Sequence, residues 1–108
     1  MEAKLKERIE QLIHSKRIFL FMKGNPDAPQ CGFSANVAGI LHTLHADFGS
    51  FDILSDDVMR QGVKEFSNWP TFPQLYVDGE LVGGSDIVTE MYHSGELKKM
   101  LEKKPSVL

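Results

Sequence analysis

The sequence predicts an α/β fold in which a parallel β–α–β unit is extended by an antiparallel pair, giving a mixed sheet covered by helices on both faces. Three observations predict it. Apolar residues at helical spacing alternate along the chain with short β-prone runs. One of these runs, "RIFLFM" (17–22), is continuously apolar, the form of a strand buried on both faces. The last two runs, in "QLYVDGELVGG", are joined by Asp78-Gly79, a hairpin turn signal.

Each element follows from its own residues. Leu5, Ile9, Leu12 and Ile13 fall on one face with charges between them, which predicts an amphipathic first helix over 2–15. After the apolar strand, Gly24, Asn25, Pro26 and Pro29 break regular structure. Phe33, Val37, Ile40, Leu41 and Leu44 then resume a helical period, so Cys31 sits at a helix start. "SFDIL" (50–54) predicts a second strand. Val58, Val63 and Phe66 mark a third helix beginning near Asp56 or Asp57, either of which can cap it. From Ser85 onward, Ile87, Val88, Met91, Leu97, Met100 and Leu101 predict one or two closing helices.

Composition narrows the function classes. A length of 108 residues, with 42% hydrophobic and 25% charged side chains, suits one compact domain over 1–108. The net charge is −3, and no run of Lys and Arg is interleaved with aromatics, so the electrostatic footprint of a nucleic-acid binder is missing. The longest apolar run, Ile18 to Met22, is far shorter than the roughly 20 residues that cross a bilayer. No membrane role is expected. The N-terminal "MEAKLKERIE" is too charged for a signal peptide, which points to an intracellular, cytoplasmic protein, or to an organelle matrix if a transit peptide has been removed. A single cysteine cannot form an internal disulfide and suits a reducing compartment.

That cysteine lies in "MKGNPDAPQCGFSAN" (22–36), and three positions later, where a dithiol motif would place a second sulfur, stands Ser34. The reactive and metal-binding form of cysteine is the thiolate, and a free thiol with a pKa near about 8.5 is mostly protonated at neutral pH. A helix N-terminus presents unpaired amides with partial positive charge, and Lys23, ending the preceding strand, can reach the same sheet edge. Both favour Cys31 as an anion. The alternative, a small buried hydrophobe, is opposed by the Pro/Gly-rich loop before Cys31 and by Gly32 after it.

"MKG" followed by a loop and "CGFS", together with "NWPTFPQLYVDGELVGGSDIV", resembles the monothiol glutaredoxins of the thioredoxin-fold superfamily over nearly the whole chain. The segment "FDILSDDVMRQGVKEFSNWPTFPQLY" resembles the glutaredoxin domains of multidomain eukaryotic members more than the bacterial single-domain forms. The resemblance implies a thioredoxin fold with a central four-stranded mixed sheet. Counting ligands defines what the thiolate can do. A 2Fe-2S cluster takes about four thiolates, and one chain supplies one. Two chains and two molecules of glutathione complete the set, and a cluster-bridged homodimer is also what the resemblance implies. Gly32, lacking a Cβ, would let the backbone come close to such a cluster.

Glutathione carries two carboxylates, one ammonium and one thiol. Lys23 and Arg60 match family positions and are cations for its glycine carboxylate. Thr71, Phe72 and Pro73 form the next wall. The resemblance implies a cis bond before Pro73, which would leave the Phe72 N–H and C=O facing an extended peptide. Trp69 is expected in the core. Gly83 and Gly84 permit tight backbone geometry; Ser85 and Asp86 begin a helix whose amides can hold the γ-Glu carboxylate, with Asp86 placed to pair with the ammonium. An ordinary N-cap is the plainer role for this pair. Some relatives carry a second cysteine where this chain has Ser85, so a disulfide switch of that kind cannot operate here. His42 and His45 lack a cysteine or carboxylate partner and are expected at the surface.

Two functions are therefore expected to compete. One is glutathione-dependent binding and transfer of a 2Fe-2S cluster, with BolA-like proteins and cluster-acceptor apoproteins as the partners that the resemblance implies. The other is a thiol-disulfide oxidoreductase in which Cys31 attacks glutathione mixed disulfides; this monothiol route needs no resolving cysteine. Lys23 lies eight residues before Cys31, farther than in the efficient dithiol reductases, and the inserted "NPDAP" resembles the cluster-binding class. Cluster handling is the favoured expectation.

Overall fold

A computed structural model of the chain describes residues 1–102. In chain order the elements are α1 (Ala3–Ile13), β1 (Ile18–Met22), the two-residue strands β2 (Gly24–Asn25) and β3 (Ala28–Pro29), and α2 (Gly32–Thr43). Then follow β4 (Phe48–Asp52), a 3-10 turn (Ile53–Ser55), α3 (Asp57–Ser67), β5 (Gln74–Val77), β6 (Glu80–Gly83), α4 (Ser85–Ser94) and α5 (Glu96–Glu102). The main sheet has the order β4-β1-β5-β6. β1 pairs parallel with β4 and antiparallel with β5, and β5 pairs antiparallel with β6. This is the thioredoxin fold.

β1 explains why the sheet is covered on both sides. All five of its residues are buried, and successive side chains of a strand point to opposite faces. Ile18, Leu20 and Met22 enter a cluster with Val37, Leu41, Val88 and Leu97, from α2, α4 and α5. Phe19 and Phe21 enter the other, with Ile9, Ile13, Met59 and Val63 from α1 and α3. Among the described residues no helix is long and apolar enough to cross a membrane.

Three local expectations are corrected. The strand expected at 50–54 runs instead over Phe48–Asp52, and Ile53 and Leu54 belong to the 3-10 turn. The Asp52 carboxylate ends the strand by accepting from Leu54 N–H at 2.9 Å and also from Gly24 N–H at 2.8 Å. Phe33 and Val58 do not face the core: they are 63% and 65% exposed, at the first turns of their helices. The breaker-rich segment after β1 is not irregular but a small hairpin, in which Asn25 Oδ1 accepts from Asp27 and Ala28 N–H and Gln30 N–H bonds back to Lys23 C=O at 2.9 Å. Of the two candidates for capping α3, Asp56 does so, accepting from Met59 N–H.

Candidate functional site

Cys31 is the N-cap of α2, with extended backbone and a half-buried side chain at the edge of the sheet where β1 ends. Its sulfur makes no capping hydrogen bond as a thiol. The Ser34 N–H nonetheless holds its pKa below the ordinary thiol value, helped by the Phe33 N–H, the Lys23 ammonium and the Ser34 hydroxyl, while desolvation pulls the other way. Ser34 itself is fully buried, and its hydroxyl accepts from Lys23 N–H at 3.0 Å. The residue standing in place of a second sulfur thus ties the end of β1 to α2.

A groove of about 350 Å³ opens beside the thiol, within the size range of small-molecule sites. It brings together Cys31, Lys23, Arg60, Thr71, Phe72, Pro73, Gly84, Ser85 and Asp86. Lys23 arrives because the hairpin folds the intervening residues away from the groove, so eight positions of sequence do not remove the cation from the thiol. Arg60, on the groove side of α3, has a buried Nε with no hydrogen-bond partner among the described residues. The Phe72-Pro73 peptide is cis. Gly84 is the N-cap of α4 and its side-chain position makes no cap, so Ser85 and Asp86 are the first helical residues rather than an ordinary cap. The first intrahelical bond runs from Val88 N–H to Gly84 C=O, which leaves the amides before Val88 without helical partners. Ser85 Oγ accepts from Asn36 Nδ2 at 3.0 Å, joining α2 to α4.

Gly84 is set close against the cis-proline loop. A Cβ there would lie 3.2 Å from the Pro73 carbonyl oxygen. At Gly32 a Cβ would meet nothing within 4 Å, so no contact within the chain demands glycine there.

Sequence reasoning missed several lining residues. Trp69, expected in the core, is half-buried and lines the groove, because it sits in the loop joining α3 to β5. Lys64 also lines it; its spacing of four from Arg60 places the two on one helix face and was the available signal. Phe33 and Ile87 form an apolar rim. His42 packs on the Phe48 ring at 5.4 Å, and among the described residues no three His, Cys, Asp or Glu side chains converge as a metal site.

A lone thiol on a helix N-terminus, beside a loop with a cis proline, defines a thioredoxin-fold thiol protein. The glutaredoxin family model matches residues 18–82, and the chain belongs to the glutaredoxin family, among its monothiol members. It is 60% identical over 100 residues to monothiol glutaredoxin-S17 of Arabidopsis thaliana, a match covering 93% of this chain and 20% of that protein. Against a monothiol glutaredoxin of Synechocystis, ycf64-like, identity is 54% over 102 residues, covering 94% of this chain and 95% of the relative. The solution structure of reduced poplar apo GrxS14 superposes with a TM-score of 0.80 at 53% identity, over 91% of this chain and 90% of that one. The chain therefore spans about a fifth of the first of these relatives and nearly all of the second.

Proposed function

We propose that residues 1–108 act as one glutaredoxin domain that binds glutathione in the groove and uses Cys31 to hold and pass on a 2Fe-2S cluster shared between two copies. One observation carries the reading: the only thiol of the chain stands half-exposed at the mouth of a groove whose cations and unpaired amides match a small acidic peptide. Lys23 and Arg60 would take the glycine carboxylate, and the buried, partnerless Nε of Arg60 is a donor in want of an acceptor. The Phe72 backbone would pair with the cysteinyl residue, and the free amides of α4 with the γ-Glu carboxylate, while Asp86 meets the ammonium. The cluster is cargo. Cys31 gives one ligand per chain, and a cluster takes about four; a second copy and two glutathiones supply the rest. The open space beside Gly32 leaves that approach unobstructed. BolA-like proteins and cluster-acceptor apoproteins are the partners this reading brings with it.

The test is anaerobic reconstitution with iron, sulfide and glutathione. A coloured dimer with about two irons per two chains is expected, and Cys31→Ser should yield none. Cluster retained by that variant sinks the ligand assignment. Lys23→Ala and Asp86→Ala should shorten the lifetime of the colour by weakening glutathione.

The lowered pKa of Cys31 supports a second reading as an oxidoreductase. The Cys31 thiolate would attack the glutathione sulfur of a mixed disulfide, and the partner thiolate would leave and take up a proton. A second glutathione thiolate would then attack glutathionylated Cys31, releasing glutathione disulfide and restoring the thiolate. A colourless monomer that rapidly reduces a glutathione mixed disulfide would put this reading first.

A further inference from the structure

The groove wall from Trp69 to Pro73 has no regular structure; Ser67 Oγ accepts from Trp69 N–H at 3.1 Å at its start, and one side chain, Gln74, holds carbonyls at two points along it. Gln74, the first residue of β5, has no exposed surface. Its Nε2 donates to the carbonyls of Trp69 at 3.1 Å and Thr71 at 3.2 Å. Its Oε1 accepts from the Tyr76 hydroxyl at 3.2 Å. A carboxamide is the side-chain group that offers two N–H donors on one atom and an acceptor on the next. The two carbonyls decide which end is nitrogen. Burial pushes the Tyr76 phenol up to about 12, so it remains a donor throughout the physiological range.

We propose that Gln74 is a positioning residue for the ligand: by holding the Thr71 carbonyl inward it turns the Phe72 N–H outward into the groove. The Thr71–Phe72 peptide is trans. Its C=O and N–H therefore point in opposite directions across one rigid plane. With the carbonyl engaged below, the amide faces the groove, and among the described residues it donates to no backbone carbonyl. The second bond, to Trp69, joins the Ser67 hydroxyl and the Lys64 carbonyl in holding the other end of the wall ahead of Pro70, which has no N–H of its own. The inference rests on the reading of the groove as a glutathione site, since it assigns the residue that aims one of that site's donors.

Gln74→Glu tests it, because a carboxyl offers the two carbonyls at most one donor where the carboxamide offers two. Glutathione affinity, titrated calorimetrically on the reduced chain, should fall roughly tenfold, about 1.4 kcal/mol, in line with loss of one aligned hydrogen bond. Hydrogen exchange at the Phe72 amide, measured without ligand, should quicken. Leu97→Ala, in the opposite core cluster and 0% exposed, is the stability control. It should lower the denaturation midpoint yet leave affinity within about twofold, a margin well inside the tenfold effect. Tyr76→Phe keeps the carboxamide and removes the hydroxyl that orients it, together with that hydroxyl's contact with Ser67, and should give a smaller loss, which keeps the proposal decidable if Gln74→Glu does not fold. Wild-type binding with every folded Gln74 or Tyr76 variant inside the control's margin overturns the positioning role. A wild type that does not bind glutathione overturns the groove reading instead, and Phe72 exchange still decides whether Gln74 fixes the wall.

Discussion

Cys31 draws its acidity from named neighbours: the Ser34 amide first, then the Phe33 amide, Lys23 and the Ser34 hydroxyl. The rate of alkylation by iodoacetamide should therefore rise with pH around a midpoint below the free-thiol value of about 8.5. Lys23→Ala should move that midpoint up only partway, because the largest contribution is a backbone amide the substitution leaves in place. A midpoint at the free-thiol value in the unsubstituted chain would refute the site's electrostatics. The sign of the linked stability follows. A thiol acidified by folding stabilises the native state above the unfolded pKa, and that increment disappears as pH falls through the folded value. Cys31 against wild-type background, compared with Cys31→Ser in chemical denaturation, reads it. At this scale the sequence disclosed the thiol, Lys23, Arg60 and the Ser85-Asp86 pair, since each is a chemically conspicuous residue at a motif position. It did not disclose Trp69 as a groove residue, because an aromatic side chain reads as core until its loop is placed. Nor did it disclose Gln74, whose role exists only once three distant polar atoms converge.

Among the elements, the hairpin of β2 and β3 depends on one glycine. Gly24 has φ +84, and a Cβ there would lie 2.6 Å from the Ala28 carbonyl oxygen and 2.7 Å from Gln30 N. Both are backbone atoms and cannot step aside. Gly24→Ala should cost more than about 1 kcal/mol in urea denaturation; under the proposed glutathione reading it should also weaken binding of that peptide, because Lys23 is the adjacent residue. Unchanged stability would show that the loop adopts another path. The hairpin was illegible in the sequence because Gly, Asn and Pro announce a break without saying what replaces it, and two rungs are too few to show an alternating pattern. β4 was misplaced for a different reason. Its residues Phe48–Asp52 are only half-buried at the sheet edge, so the fully buried Ile53 in the following turn outweighed them in the pattern.

At the scale of the whole molecule, β1 is shared by both core clusters, and its alternation sends Leu20 to one and Phe21 to the other. Leu20→Ala, at a position with no exposed surface, should cost about 2–5 kcal/mol by denaturant midpoint; a smaller loss would mean that the cluster collapses around the vacancy. The topology was legible here because one apolar run, one turn dipeptide and the intervening helical periods leave few ways to order four strands. Ser34, buried and already bonded to Lys23, has a consequence beyond structure. Since residues 1–108 hold no second thiol, Cys31 cannot close a disulfide within them. Any disulfide that Cys31 does form must reach outside these residues, to a small thiol or to a cysteine elsewhere, and each such partner adds its own mass to the protein.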